Sequence, residues 1–461
     1  PHRDRPYSFG GGCAVDAHLI DSRIFGHRWS TPESHAIFDE PARARRWLGV
    51  IIALAQAQAE LDLIPAAAAR DITALQDRDL PIDRIAEATR ATGHSTLGMI
   101  QVLQDLLPPS AAPFVYYGAT VQDITDTSQV LELAATGLVL WRDLRAIEDR
   151  LLDLAVTHRK TPMAGRTHGQ LGSPIPLGFK IASWADQVGR DLSRLHDGRD
   201  RWLTGQFAGA VGTLGFFEPQ GLALRAAFCR HVGLAEPSIS WLSARDRFVE
   251  FASVSAMAAN TLARIANEVY GLQRREIGEL GERPSASTVG SITMPHKRNP
   301  ENSEQIVTLA QLARAQNALL ADAMVHEHER DGRAWKLEWS VFPTLSHSVL
   351  AACSLTRTLL DGLEVDAQAM ARNLALVPAS EHLLSLMATR LGKHAAQQTL
   401  QQAYRRARDE RLSLADALDG VATPAELAAI ADVDLGAGPE MVDRVVAASR
   451  QRRETEPEHW Q

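Results

Sequence analysis

The chain has 461 residues, with 48 Lys and Arg against 56 Asp and Glu, a net charge of −8. Hydrophobic residues make up 45% and charged residues 23%, which excludes a disordered or fibrous chain and leaves apolar surface for a sizeable core. The acidic balance argues against general attraction to nucleic acid or an anionic membrane, so neither is expected as a partner. Cys13, Cys229 and Cys353 are too few and too scattered for a disulfide framework or zinc site. They point to a reducing compartment, and PHRDRPYSFGGG has no apolar signal core. A soluble cytoplasmic protein is expected. Only five lysines occur (Lys160, Lys180, Lys297, Lys336 and Lys393), so each is a candidate for a placed charge.

In chain order, a helical region broken at Pro65, Pro81 and Pro108 comes first. Its apolar run from Leu48 to Ala69 is interrupted by Gln56, Gln58, Glu60 and Asp62, so it reads as an amphipathic or core helix and not a membrane span. Apolar residues then recur at three- and four-residue spacing over 121–159, 175–203, 245–277, 300–328 and 340–363, the helical period. The longest would extend on the order of 55 Å. Helices of that length point to a bundle extended by oligomerisation. Ala252, Ala256, Ala258, Ala259 and Ala263 permit close packing in one of them. Past residue 363, Gly and Pro punctuate shorter helices, as in GVATPAEL and LGAGPEM. Strand signals are scarce. The pattern predicts an all-α fold of three helical domains, 1–112, 113–363 and 364–461, with the long-helix bundle in the middle.

The segments between helices carry the chemistry. GERPSASTVGSITMPHKRNPENSEQI, residues 281–306, is rich in small and polar residues over Pro284–Gly290 and suits a mobile loop. It ends at Asn299-Pro300-Glu301, which predicts a helix start with Asn299 as N-cap. Backbone N–H groups, the Ser291 hydroxyl, the Lys297 ammonium and the Asn299 amide would together bind and polarise a carboxylate. The same residues could equally form an ordinary helix connection. HEHERDGRAWKLEW, 326–339, invites a metal reading, but it contains no HExxH and no companion ligand cluster, so no metal is expected. GGG at 10–12 lacks a strand–helix context and reads as a flexible end.

GSITMPHKRNP resembles the signature loop of the fumarase/aspartase superfamily, GSSxMPxKxNP, departing where Ile292 replaces the second serine. YYGATVQDITDT, 116–127, and GRTHGQ, 165–170, resemble the family's other two regions and occur in the expected order. The resemblance implies a cofactor-independent enzyme that removes a proton next to a carboxylate. An aci-carboxylate dianion forms, and a leaving group is then expelled from the neighbouring carbon, often releasing fumarate. It also implies a homotetramer whose sites draw on several subunits, and a small dicarboxylate as substrate. By motif, Ser291 falls on the general base, which requires a closed, donor-rich site and suits a loop acting as lid. His168 falls on the general acid and Glu304 on its carboxylate partner, which would raise the histidine's pKa. Thr120, Gln122, Thr167, Lys297 and Asn299 fall on groups that bind substrate carboxylates. His94, in TGHST, lies near another active-site histidine of the family.

Within the superfamily, MPHKRNP and the HERD string at 328–331 resemble adenylosuccinate lyase and 3-carboxy-cis,cis-muconate cycloisomerase. Tyr116 and Val121 stand where the nucleotide-cleaving enzymes have His and Ser, and WLSARDR (241–247) resembles the cycloisomerase version. Trp339 stands where an arginine would hold the nucleotide phosphate. Loss of cationic phosphate ligands argues against a nucleotide substrate. The resemblance is therefore to the cycloisomerase-like branch, which also holds lyases of small substituted succinates such as nitrosuccinate lyases. Carbon–nitrogen elimination yielding fumarate is the expectation. Lactonisation and an inactive structural relative, like some lens crystallins, are the alternatives.

Overall fold

The computed structural model describes residues 18–283, 291–294, 296–377 and 381–460. The expected mobile stretch Pro284–Gly290, the glycines at 10–12 and Cys13 lie outside the described residues. The helices are α1 (Pro32–Phe38), α2 (Glu40–Glu60), α3 (Ala66–Thr73), α4 (Ile82–Thr92), α5 (Leu97–Asp105) and α6 (Val121–Thr157). A hairpin of β1 (Pro162–Thr167) and β2 (Gln170–Pro176) follows, then α7 (Leu177–Trp202), α8 (Gly221–Val232) and α9 (Asp246–Leu272). After β3 (Leu280–Glu282) come α10 (Glu301–Asp322), α11 (Gly332–Asp361) and β4 (Leu363–Val365), which pairs antiparallel with β3. Six helices close the chain: α12 (Ala367–Leu374), α13 (Glu381–Leu391), α14 (Lys393–Glu410), α15 (Leu414–Ala417), α16 (Pro424–Ala428) and α17 (Gly438–Thr455). The fold is all-α with two small two-stranded sheets. No helix among the described residues is long and apolar enough to cross a membrane.

Local chemistry explains the boundaries. Thr31 and Ser34 form a reciprocal capping box at α1, and the Asp39 carboxylate accepts from Ala42 N at 2.7 Å at the start of α2. Gly93 and Gly233, both in the left-handed region, end α4 and α8. The run from Leu48 to Ala69 is two helices and not one, because the chain turns before Pro65 and restarts at Ala66. The helix expected from residue 340 begins at Gly332. Asp331 caps it, accepting from Arg333 N at 3.0 Å, so the polar first turns that hid the apolar period are helical all the same.

Two compact units can be separated, each built from three stretches of chain. The first holds residues up to 140, 197–259 and 308–355; the second holds 141–196, 260–307 and 356 onward. In the first, Ile51, Leu54 and Ala55 of α2 share a core with Ile72, Leu103, Phe207, Leu224 and Phe228. Cys229 belongs to that core, and Cys353 is also buried. In the second, Leu383, Met387, Ala396, Leu400 and Ala417 join α13, α14 and α15.

Candidate active site

Within the second unit, Lys297, Asn299 and Glu304 line one cleft of about 810 Å³ together with Arg274, Arg275 and His296. With Arg298, Glu282 and Glu364 also on the walls, four Lys and Arg side chains stand against three carboxylates. The helix start differs from expectation. Glu304 N donates to Pro300 O at 3.0 Å, which makes Pro300 the first carbonyl of α10. The cap is Glu282 of β3: its carboxylate accepts from Asn302 N (3.1 Å), Ser303 N (2.8 Å) and Ser303 Oγ (2.6 Å). Asn299 is released from capping, and its amide reaches Glu301 Oε1 at 3.4 Å at the edge of the cleft. Gln273 ties the cleft floor together, accepting from Glu282 N and donating to Arg298 O. Ser291 Oγ accepts from Met294 N at 3.1 Å in a local turn.

Thr167 and His168 lie on a hairpin, an element the strand-poor sequence did not announce. Thr167 pairs with Gln170, and the turn between them places His168 at φ 51° and Gly169 at φ 72°. Two positive φ angles match the twist of a two-residue hairpin turn, so the histidine ring is exposed at a tip. Arg166 anchors the base, donating twice to the buried Glu279 carboxylate at 2.7 and 2.8 Å, and Asn373 donates to the same carboxylate. His168 makes no hydrogen bond or ion pair with the described residues, so the expected pairing with Glu304 does not form within one chain.

Thr120 and Gln122 belong to the first unit, at the start of α6. Arg330 Nη2 donates to Thr120 Oγ1 at 2.9 Å. The Asp123 carboxylate, fully buried, accepts from Thr120 N, Ala208 N and Gly209 N at 2.9, 2.8 and 3.2 Å. Burial pushes this carboxyl up to about 7 although the three donors favour its charged form. Burial also pushes the neighbouring Tyr116 phenol up, with the Asp123 charge adding to it. The Gln122 side chain is buried, its Nε2 donating to Asp126 Oδ2 (3.0 Å) and Leu242 O (2.7 Å). Asp126 in turn shares Arg245 with Glu338, a buried triad in which the two carboxylates outweigh desolvation and keep the guanidinium charged. His94 acts locally, its Nδ1 accepting from Thr96 N and Leu97 N to cap α5.

A family model described as Lyase matches residues 28–314, more than half of the sequence. The chain belongs to that lyase family. It is 37% identical to an N-acetyl-S-(2-succino)cysteine lyase of Enterococcus italicus, covering 94% of this chain and 98% of the relative. It is 36% identical to a 3-carboxy-cis,cis-muconate cycloisomerase of Pseudomonas aeruginosa, over 85% and 87%. The crystal structure of a 3-carboxy-cis,cis-muconate lactonizing enzyme from Pseudomonas putida superimposes with a TM-score of 0.85 at 31% identity, over 93% and 99%. The lyase is thus a member of the fumarase/aspartase superfamily, as its three motifs implied. Motif reasoning missed Asp123, Arg330, Glu279 and Glu282, the groups that hold the motif residues in place. Asp123, Glu282 and Arg330 sit inside the quoted strings, but nothing in their spacing reveals which backbone or hydroxyl each would meet.

Proposed function

We propose that this lyase eliminates a heteroatom leaving group from a 2-substituted succinate and releases fumarate. The observation that carries it is the grouping of Lys297, Asn299 and Glu304 on one cleft beside the signature loop, with Arg274 and Arg275 on its walls. One carboxylate of the succinate would bind Lys297 and Asn299, where negative charge grows as the neighbouring proton leaves. In the step itself Ser291 takes that proton and the C–H pair becomes the new C=C bond. The carbon–heteroatom bond breaks, and the leaving atom carries its electrons away and is protonated by His168.

The relative from Enterococcus italicus supports sulfur as the leaving atom, where the motifs alone favour nitrogen. A thiol ionises near pH 8.5, so a thiolate leaves with little help from an acid, whereas an amine must be protonated as it departs. The test is direct. Purified enzyme is given a 2-succino thioether, an N-substituted aspartate and an unsaturated tricarboxylate, and products are followed by chromatography. Fumarate from the thioether is expected. Lactone from the tricarboxylate with no fumarate from either succinate would overturn elimination in favour of cyclisation, the reading that the cycloisomerase relative supports.

A further inference from the structure

The cleft that holds Lys297 and Asn299 carries more positive charge than the succinate half of a substrate uses. Of its Lys and Arg side chains, Arg298 already faces Glu364 at 3.8 Å, a carboxylate shared with Arg283 at 3.5 Å. Lys297 is the charge given to one succinate carboxylate. Arg274 and Arg275 are left. Both are exposed on the cleft wall, and among the described residues neither side chain makes an ion pair or a hydrogen bond. Two of the wall carboxylates are engaged elsewhere, Glu364 with Arg283 and Arg298, and Glu282 in capping α10. The pair is therefore open to a charge brought by the substrate.

The turn that carries the two arginines is tied to the signature loop. Just past the end of α9, Arg274 O accepts from Ile277 N and Gly278 N, each at 2.8 Å. Gln273, immediately before it, donates to Arg298 O at 3.2 Å and accepts from Glu282 N at 2.9 Å. Arg298 stands between Lys297 and Asn299, so one glutamine holds both cationic groups on the same frame. The cleft of about 810 Å³ also has room to spare, since a succinate takes the space of roughly five waters. In a succinate thioether of an amino-acid thiol, a succinate carboxyl carbon and the leaving group's carboxyl carbon are about 6 Å apart when extended. We infer that Arg274 and Arg275 bind a third carboxylate, carried by the leaving group, and that the substrate is therefore a tricarboxylate. The inference rests on the proposed elimination, which places the succinate half at Lys297 and Asn299. A guanidinium offers a carboxylate two parallel N–H donors, so geometry selects the group as well as charge. An uncharged leaving group would leave both arginines to water.

The experiment compares two 2-succino thioethers that differ in one group: that of N-acetylcysteine, which bears the third carboxylate, and that of N-acetylcysteamine, which lacks it. Each is given to wild type, Arg274→Gln, Arg275→Gln and the double variant. Exposed charges are screened by water, so the expected effect is moderate. Wild type should favour the carboxylated thioether about tenfold in kcat/KM, chiefly through KM, and the double variant should bring that ratio near one. Each single variant reads the same ratio should the double variant fail to fold. Equal losses on both thioethers would give the arginines to the succinate half, and an unchanged ratio would leave them as solvated surface; either result overturns the inference. In parallel, calorimetry compares tricarballylate with succinate, probes that need no turnover. Tighter binding of tricarballylate is expected in wild type and not in the double variant. If neither thioether yields fumarate, the elimination fails by itself and the probes decide the arginines: a preference for tricarballylate that depends on them supports the third-carboxylate role, and equal or absent binding rejects it.

Discussion

Ser291 and Lys297 separate two roles whose loss ends alike in an inactive enzyme. With Ser291 as base, Ser291→Ala is expected to lose about 10²–10⁴ in kcat while substrate affinity, measured by calorimetry, stays near wild type. Lys297→Ala removes a charge that meets the carboxylate before and during reaction, so affinity and turnover should fall together. A folded Ser291→Ala enzyme with nearly normal turnover would move the base elsewhere. His347 carries a different expectation. Its buried ring accepts or donates at 2.7 Å to Ser34 Oγ and lies 5.3 Å from the His35 ring. Burial, with His35 and His18 adding to it, pulls His347 down to about 4. An unfolded histidine titrates near 6.5, so the unfolded chain binds the extra proton first. The stability contributed by neutral His347 is present above pH 6.5 and is lost as the pH falls towards 4. Melting temperature should drop across that window, and His347→Gln should flatten the drop; an unchanged slope would remove His347 as its source.

At the scale of elements, Glu282 is the sharpest case. One carboxylate from β3 satisfies two orphan N–H groups and a hydroxyl at the start of α10, where the helix dipole also favours negative charge. Glu282→Ala is expected to cost about 1–2 kcal/mol and to lower turnover by fraying the turn that holds Glu304. Equal denaturation midpoints for variant and wild type would show that Asn299 or water takes over. Helix periods were legible: α6, α7 and α10 start within two residues of where apolar spacing put them. The α11 start was not, because Arg333 and Lys336 interrupt the apolar pattern while Asp331 supplies the cap. Nor was the hairpin, since RTHGQ owes its shape to two left-handed residues and an Arg166–Glu279 pair more than a hundred residues apart. The motifs named residues for the site; the contacts that aim them join distant stretches, which no local spacing encodes.

Across the whole molecule, His168 stands on an exposed tip, and among the described residues of one chain it has no hydrogen-bond or ion-pair partner. A tetramer whose sites draw on several subunits would supply it. Mixing Ser291→Ala with His168→Ala subunits, denaturing and refolding them together, should then restore part of the activity that each lacks. Hybrids confirmed by native mass spectrometry but inactive would count against shared sites. The interleaving of the two units has a consequence for synthesis on the ribosome. The core that α2 shares with Phe207, Leu224 and Phe228 cannot close until those residues emerge. The first unit lacks its last stretch until Leu355, roughly 215 residues after Leu140, or about 10–40 s of translation. Through that interval the nascent chain exposes apolar helix faces in a crowded cell. Slower growth or added chaperones should therefore raise the yield of folded protein, and an unchanged yield would count against a vulnerable interval.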